Sequence, residues 1–211
     1  MSLFKKQKPV RNMNPEKIGM FERVSFEQFL EDWKKLYGDE FSNKDIVKKI
    51  YDGIELPVRS TRRSAGYDFF CPFGFTLEKG ANIVIPTGIR VFLDNDAYLA
   101  LHPRSGTGFK YRVMLANTTG IIDADYWESD NEGHIMVKLC YTGIENPCKL
   151  TDISEDGMTF TVKRPSRSTS YKPFTVNAGD RFVQGILNTY AIVDDDSADG
   201  IRNGGEGSTG R

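Results

Sequence analysis

The sequence has few cysteines and no long apolar run. Its three cysteines, Cys71, Cys140 and Cys148, are scattered and form no CxxC pair, so neither a disulfide framework nor a zinc knuckle is expected. No stretch is apolar enough to cross a bilayer, and the first ten residues lack the apolar core of a signal peptide. We therefore expect a protein of a reducing cytoplasm that makes no membrane contact.

The sequence also lacks an excess of either charge. It has 28 Lys and Arg against 29 Asp and Glu, for a net charge of −1. This balance gives no global electrostatic reason to bind nucleic acid, so any phosphate site must be local. The 211 residues, 39% of them hydrophobic, suffice for one domain with a real core plus an appendage.

Residues 1–53 are predicted to form a helical N-terminal extension. Ser25 followed by Gln28 is typical of a capping box, and Gly38 is a plausible stop. Between them the apolar residues recur at helical spacing: Phe26, Phe29, Leu30, Trp33, Leu36 and Tyr37. A second, shorter helix is expected from Ser42 or Asn43 to just before Asp52, with Ile46, Val47 and Ile50 on one face.

From residue 54 to 193 the pattern changes to short β-rich runs separated by Gly, Pro and Asp turns, for example Ile83 to Ile85 and Ile135 to Leu139. This predicts a mainly β fold, a barrel or a sandwich. A polar insertion at 145–171 interrupts the pattern and is expected to be a hairpin, with Met158, Phe160 and Val162 alternating on one strand. Residues 194–211 are acidic and then glycine-rich, which predicts a mobile C-terminal arm.

Four segments carry candidate chemistry. His102 to Gly108 places Arg104, Ser105 and two glycines in a predicted tight loop, which suits phosphate oxygens but is also compatible with a surface turn. Asn117 to Trp127 is predicted to be a β-hairpin, where an Asn amide can read a pyrimidine edge and an Asp can take a proton from water. Its aspartates are equally typical turn formers.

The third segment, Gly179 to Gly185, is predicted to be a turn feeding a strand in which Phe182 and Gln184 face away from Arg181, Val183 and Gly185. Gln184 would anchor either a loop or a ligand. The tail, with Arg202 before GlyGlyGluGlySerThrGly, could wrap an oligophosphate or serve as a linker.

Five segments resemble, in order, the five motifs of the trimeric, all-β dUTPase family. They are AlaGlyTyrAspPhePhe at 65–70, ProArgSerGly at 103–106, GlyIleIleAspAlaAspTyr at 120–126, GlyAspArgPheValGln at 179–184 and GlySerThrGly at 207–210. The resemblance implies a jelly-roll-like β-barrel and a homotrimer whose active sites are shared between subunits. It also implies Mg²⁺-assisted hydrolysis of dUTP to dUMP and pyrophosphate, which prevents uracil incorporation into DNA.

The resemblance also implies a role for each motif residue. Asp123 would activate the attacking water, and Tyr126 would stack on the deoxyribose. Asp68 would contact the metal through water. The uracil would be read by Asn117 and by backbone of the same segment, including Gly120 and Ile122. The phosphates would be held by Arg104, Ser105, Gly106 and Gln184, and clamped by Arg202, Ser208 and Thr209 of the arm.

The sequence departs from the family pattern in three places. Glu206 stands where the fifth motif carries an aromatic that covers the uracil, so we expect Trp127 or, second, Tyr171 to supply that lid. The helical extension is unusual, and we expect it to pack on its own barrel or on a neighbouring subunit. The insertion resembles those of phage-type members, where such a segment can serve a regulatory protein partner. The chain thus resembles phage-type or Gram-positive bacterial members of the family.

Two other functions stay open at this point. A dCTP deaminase is similar in fold and in parts of the phosphate loops, but the uninterrupted third motif and the SerThrGly arm favour the hydrolase. A regulatory role on the same scaffold, through the insertion or the N-terminal helix, is compatible with catalysis.

Overall fold

The structure is a computed structural model that describes residues 16–143, 149–153, 160–163 and 172–200. Its α-helices are α1 Phe26–Tyr37, α2 Lys44–Asp52 and α3 Ser105–Tyr111. The strands are β1 Gly19–Arg23, β2 Val58–Arg59, β3 Tyr67–Phe70, β4 Phe75–Leu77, β5 Asn82–Pro86, β6 Ile89–Leu93, β7 Ala97–Pro103, β8 Val113–Leu115, β9 Gly120–Asp123, β10 Met136–Tyr141, β11 Lys149–Ile153, β12 Phe160–Lys163, β13 Phe174–Val176 and β14 Arg181–Thr189.

Helix α1 begins and ends where the sequence predicts. The Ser25 side chain accepts a hydrogen bond from the Gln28 N–H at 3.1 Å, and the helix ends at Gly38, which has a φ of 84°. The reciprocal half of the predicted capping box is absent among these bonds. The Ser25 N–H donates instead to Glu132 at 2.7 Å, and the Gln28 side chain donates to Asp32. A distant loop therefore completes the cap.

Helix α2 is also confirmed, with the Asn43 side chain accepting from the N–H groups of the first turn. The prediction that Ile46 shares its buried face was wrong. Val47 is fully buried, whereas Ile46 is 60% exposed, because adjacent residues on a helix point about 100° apart. The extension packs on the protein's own sheets, as expected.

Residues 16–53 contain one strand that the sequence analysis missed. β1 pairs antiparallel with β6, from Gly19 opposite Leu93 to Arg23 opposite Ile89. The partner strand is distant in the chain, so the short GMFER segment carries little local signal of its pairing.

The mainly β, jelly-roll-like fold is confirmed. The largest sheet has the strand order β2-β3-β14-β7-β9, and a second has the order β5-β10-β8. Among the described residues the remaining pairs are β1-β6, β4-β13 and β11-β12, and the pairing does not close into one continuous ring. Buried side chains such as Ile85, Leu99, Leu139 and Val183 fill the space between the sheets.

The insertion forms the expected hairpin, since β11 pairs antiparallel with β12, with a register shift between Leu150 and Asp152. Met158, which we predicted on the outgoing strand, lies outside the described residues.

Three local predictions were wrong. Asn117 to Trp127 is not a β-hairpin, because β8 pairs with β10 and β9 pairs with β7. Thr118, with a φ of 61°, lies in the turn between the two strands, which belong to different sheets. His102 to Gly108 is not a tight loop: β7 runs to Pro103 and α3 begins at Ser105.

The third correction concerns β14. The register shifts between Arg181 and Val183, which is the signature of a β-bulge. The bulge lets Phe182 and Val183 both be buried, so the predicted strict alternation fails at this point.

Candidate functional site

A pocket of about 220 Å³ lies where the β2–β3 loop, the start of α3 and β14 meet. It brings together three of the motifs that are far apart in the sequence. Its lining residues are Ser60, Ser64, Gly66, Asp68, Arg104, Ser105, Gly106 and Gln184. The structure therefore gathers most of the predicted phosphate ligands around one cavity.

Strand register explains this convergence. Gln184 of β14 is opposite Asp68 of β3 on one side and opposite His102 of β7 on the other. Arg104 follows two positions after His102, so the end of β7 and the acidic residue of β3 flank the same glutamine. A Cβ atom on Gly66 would lie 2.5 Å from the Gln184 Oε1 atom, so the glycine is needed for the glutamine to occupy this place.

Asp68 is the electrostatic centre of the pocket. Its Oδ1 atom accepts from the Arg104 Nε at 2.9 Å, and its Oδ2 atom accepts from Arg181 at 3.2 Å and from the Ser60 hydroxyl at 2.6 Å. The Asp68 side chain is only 8% exposed, against 37% and 41% for the two arginines. One carboxylate thus orients two guanidinium groups, leaving one surplus positive charge, which suits an anion.

The contacts of Asp68 also decide whether this side chain can coordinate the expected Mg²⁺ directly. Both oxygens of Asp68 already accept from cationic or hydroxyl donors, so Asp68 does not fit a directly coordinated Mg²⁺. Among the described residues no three His, Cys, Asp or Glu side chains are grouped to hold a metal ion. This part of the chain therefore fits a Mg²⁺ that is held chiefly by phosphates and water rather than by a protein cage.

The predicted catalytic Asp123 lies away from this pocket. Asp123 ends β9 opposite Tyr98 of β7, whereas Arg104 follows six positions after Tyr98. At the rise of an extended strand the two backbone positions are about 20 Å apart. The structure therefore does not bring Asp123 and the phosphate ligands together within one chain.

The predicted base-reading residues precede Asp123 in the same segment, in β9 and the turn before it. Asn117 is exposed in the turn before β9, where its carbonyl accepts from the Thr118 hydroxyl at 2.6 Å. Gly120 is buried, and Ile122 is half-buried.

Tyr126 lies in the short 3₁₀ turn Ala124–Glu128 and is 7% exposed. Its hydroxyl donates to the His134 carbonyl at 3.0 Å and accepts from the Asn131 amide at 3.0 Å.

Of the two residues predicted to cover the uracil, Trp127 lies within the described residues and Tyr171 does not. The Trp127 ring packs 4.0 Å from the Arg90 guanidinium carbon and edge-on to Phe92 at 5.6 Å. Tyr171 lies outside the described residues, as do Arg202, Ser208 and Thr209 of the arm.

Sequence reasoning missed three residues of the pocket region: Ser60, Ser64 and Arg181. Ser60 and Ser64 immediately precede the first motif, and a turn holds them in place, in which the Ser64 N–H donates to Thr61. Arg181 lies inside the fourth motif, where the alternating pattern predicts only that it belongs to a strand. The sequence feature that could have identified Arg181 as a pocket residue is a cation at the start of a strand, next to a turn.

The fold and the pocket define a mainly β protein in which an arginine-lined pocket lies at the ends of sheet strands. A family model described as dUTPase matches residues 52–145. The deoxyuridine 5'-triphosphate nucleotidohydrolase of Glaesserella parasuis is 31% identical over 176 residues, covering 80% of this chain and 95% of that protein. The chain belongs to the dUTPase family.

Further similarities agree with this assignment. The deoxyuridine 5'-triphosphate nucleotidohydrolase of Lactococcus lactis is 29% identical over 170 residues, covering 79% of this chain and 95% of the relative. The crystal structure of a dUTPase from Streptococcus mutans has a similar fold, with a TM-score of 0.51 and 23% identity, covering 82% of this chain and 98% of that one. None of the helices in the described ranges has the length and apolarity needed to cross a membrane.

Proposed function

We propose that the chain hydrolyses dUTP to dUMP and pyrophosphate and so keeps uracil out of DNA, in the cytoplasm of a bacterium or a phage-infected cell. The observation that carries the proposal is the 220 Å³ pocket, which combines Arg104, Ser105 and Gln184 from separate motifs. Relatives named deoxyuridine 5'-triphosphate nucleotidohydrolase support the substrate.

The pocket binds the phosphates in this proposal. Arg104 offers a forked donor fixed in direction by Asp68, and Ser105 offers an exposed hydroxyl. Apart from its own helix, no part of the chain lies within 4 Å of the Cβ position of Gly106, which leaves room for an anion to approach there. Gln184 contributes a side-chain amide, and Arg181 adds charge from the far side of Asp68.

The segment from Asn117 to Tyr126 binds the nucleoside. The exposed Asn117 and the backbone at Gly120 and Ile122 read the uracil, since an amide can donate and accept at once. Tyr126 packs against the deoxyribose and leaves no space for a 2′-hydroxyl. Either Trp127 or Tyr171 covers the base in place of the missing aromatic at position 206.

Asp123 accepts a proton from the attacking water in the proposed reaction. A bond forms between the water oxygen and the α-phosphorus, the bond from that phosphorus to the bridging oxygen breaks, and pyrophosphate leaves in line. Mg²⁺, bound with the triphosphate, would supply charge neutralisation. The residues of the chain provide positioning and electrostatic complementarity, which account for most of the catalysis of phosphoryl transfer.

The distance between the two halves of the site favours a homotrimer with shared active sites. The backbone positions of Asp123, on β9, and Arg104, just after β7, are about 20 Å apart along the direction of β7, which is longer than a triphosphate. This separation supports a site in which one nucleotide contacts Asp123 of one subunit and Arg104 of another. The arm residues Arg202, Ser208 and Thr209 would close over the phosphates.

The activity is tested by incubating the protein with Mg²⁺ and either dUTP or dCTP. Pyrophosphate from dUTP is the expected product, whereas ammonia from dCTP without pyrophosphate would refute the proposal in favour of a deaminase. Asp123→Asn should lower kcat by about 100-fold or more, because an amide cannot accept the proton at neutral pH. The neighbouring exposed Asp125→Asn is the matched control and should retain turnover; the reverse result would move the base to Asp125.

Sharing of the site is tested by mixing two inactive variants, Asp123→Asn and Arg104→Ala, after confirming that each forms trimers. Reassembled mixed trimers should regain about a quarter of the wild-type activity, because one site in four pairs an intact Asp123 with an intact Arg104 from another subunit. No recovery in mixed trimers would place the whole site within one chain.

A further inference from the structure

The N-terminal extension contacts the rest of the chain through a buried polar cluster as well as through apolar packing. His134 is fully buried, Asp32 is 6% exposed and Gln28 is 9% exposed. Burying polar side chains is unfavourable unless each finds partners, and apolar residues could have docked the helix without them. We therefore ask what these polar contacts do in addition to packing the helix on the core.

The hydrogen bonds fix the orientation of the His134 ring. The Gly88 N–H donates to the Nε2 atom of His134 at 2.8 Å, so Nε2 is the acceptor and the ring proton resides on Nδ1. Nδ1 lies 2.7 Å from the Asp32 Oδ2 atom, which also accepts from the Gln28 amide at 2.9 Å. The imidazole ring is thus held from both ends.

The backbone of His134 leads directly to the proposed nucleoside site. Its carbonyl accepts the hydroxyl of Tyr126 at 3.0 Å, and the Asn131 amide donates to the same hydroxyl. Tyr126 stands three residues after Asp123, in the 3₁₀ turn that continues β9. A continuous hydrogen-bonded path therefore runs from helix α1 to the tyrosine.

A second bond set ties the same loop to the start of α1. The Glu132 carboxylate accepts from the Ser25 N–H at 2.7 Å and from its hydroxyl at 2.6 Å. Gly133 in this loop has a φ of 68°, and a Cβ there would lie 2.8 Å from the Tyr126 carbonyl oxygen. The loop that carries His134 is thus clamped between α1 and the turn of Tyr126.

We propose that His134 is a positioning residue for Tyr126, and that helix α1 of the N-terminal extension holds the His134 ring in place through Asp32. This inference rests on the proposed function for its effect on turnover. The extension fixes the orientation of the sugar-contacting tyrosine, and with it the selection of deoxyribose over ribose.

The test compares Asp32→Ala with Asp32→Asn and with Val47→Ala. Asp32→Ala removes the acceptor for His134, whereas an Asn oxygen can still accept from Nδ1. Val47 is fully buried in α2 but makes no part of the path, so its truncation loosens the extension without breaking the bonds. Asp32→Ala should raise the KM for dUTP and reduce the preference for dUTP over UTP, each by about tenfold.

Asp32→Asn should restore both values to within about threefold, and Val47→Ala should leave both unchanged. Equal effects of Asp32→Ala and Val47→Ala would show a merely structural role and overturn the proposal.

Hydrogen exchange of residues 120–136 gives a readout that does not depend on activity. Asp32→Ala should speed exchange in this segment, whereas Val47→Ala should speed it only in the extension. If the wild type fails to hydrolyse dUTP, the proposed function fails while this comparison still decides whether α1 holds the Tyr126 turn. Unchanged exchange in Asp32→Ala would refute the positioning role.

Discussion

Replacing Asp68 by Asn tests the electrostatic design of the pocket. The side chain is 8% exposed and accepts from Arg104, Arg181 and Ser60 at 2.9, 3.2 and 2.6 Å. An amide keeps the shape but removes the charge and turns one acceptor into a donor that faces a guanidinium group. Two arginines would then lose the anion that separates and orients them.

The size of the effect follows from burial. A hydrogen bond to a charged group contributes about 1.5–3 kcal/mol, but both arginines are more than a third exposed, so water screens part of it. We expect the free energy of unfolding to fall by about 1–3 kcal/mol. Because Arg104 loses its fixed direction, the KM for dUTP should rise by about tenfold.

Urea unfolding and steady-state kinetics measure the two effects at equal protein concentration. Glu31→Gln is the matched control, since it removes a carboxylate 2.7 Å from Lys35 in a pair whose side chains are 61% and 63% exposed. That control should lose less than about 0.5 kcal/mol and keep its KM. Equal losses in both variants, or an unchanged KM for Asp68→Asn, would refute the view that Asp68 orients the phosphate ligands.

Three further results are expected. Gly66→Ala should raise the KM for dUTP, measured by steady-state kinetics, because the added Cβ would displace Gln184 from the pocket; an unchanged KM would exclude Gln184 as a ligand. Trp127→Ala should raise the KM if Trp127 covers the base, and a wild-type KM would leave that role to another aromatic. Burial acts to raise the pKa of Asp32, but hydrogen bonds led by that from His134 outweigh it and hold the pKa below its ordinary value. The stability that Asp32 contributes is therefore present above about pH 4 and lost as the pH falls through the folded-state value, so urea unfolding from pH 6 down to about pH 2 should show a smaller loss for Asp32→Asn than for the wild type.

Local features were predictable from the sequence because their causes lie within a few residues. The Ser25 cap, the Gly38 stop and the apolar spacing between them define α1 without reference to the rest of the chain. The same holds for the hairpin of the insertion. Where a partner is distant, prediction failed: the sequence did not reveal that β8 and β9 belong to different sheets, or that β1 pairs with β6.

The chemistry of the site divides in the same way. The five motifs, taken together and in order, by themselves indicate the family, whereas the cation, hydroxyl and glycine at 104–106 alone are compatible with either a phosphate loop or a surface turn. Only the tertiary structure decided that Asp68 orients Arg104 and Arg181. It also decided that Asp123 of β9 lies beside the start of β7, whereas Arg104 follows the end of that strand. The physical reason is that strand register and side-chain burial depend on contacts between segments far apart in the chain, which no local pattern encodes.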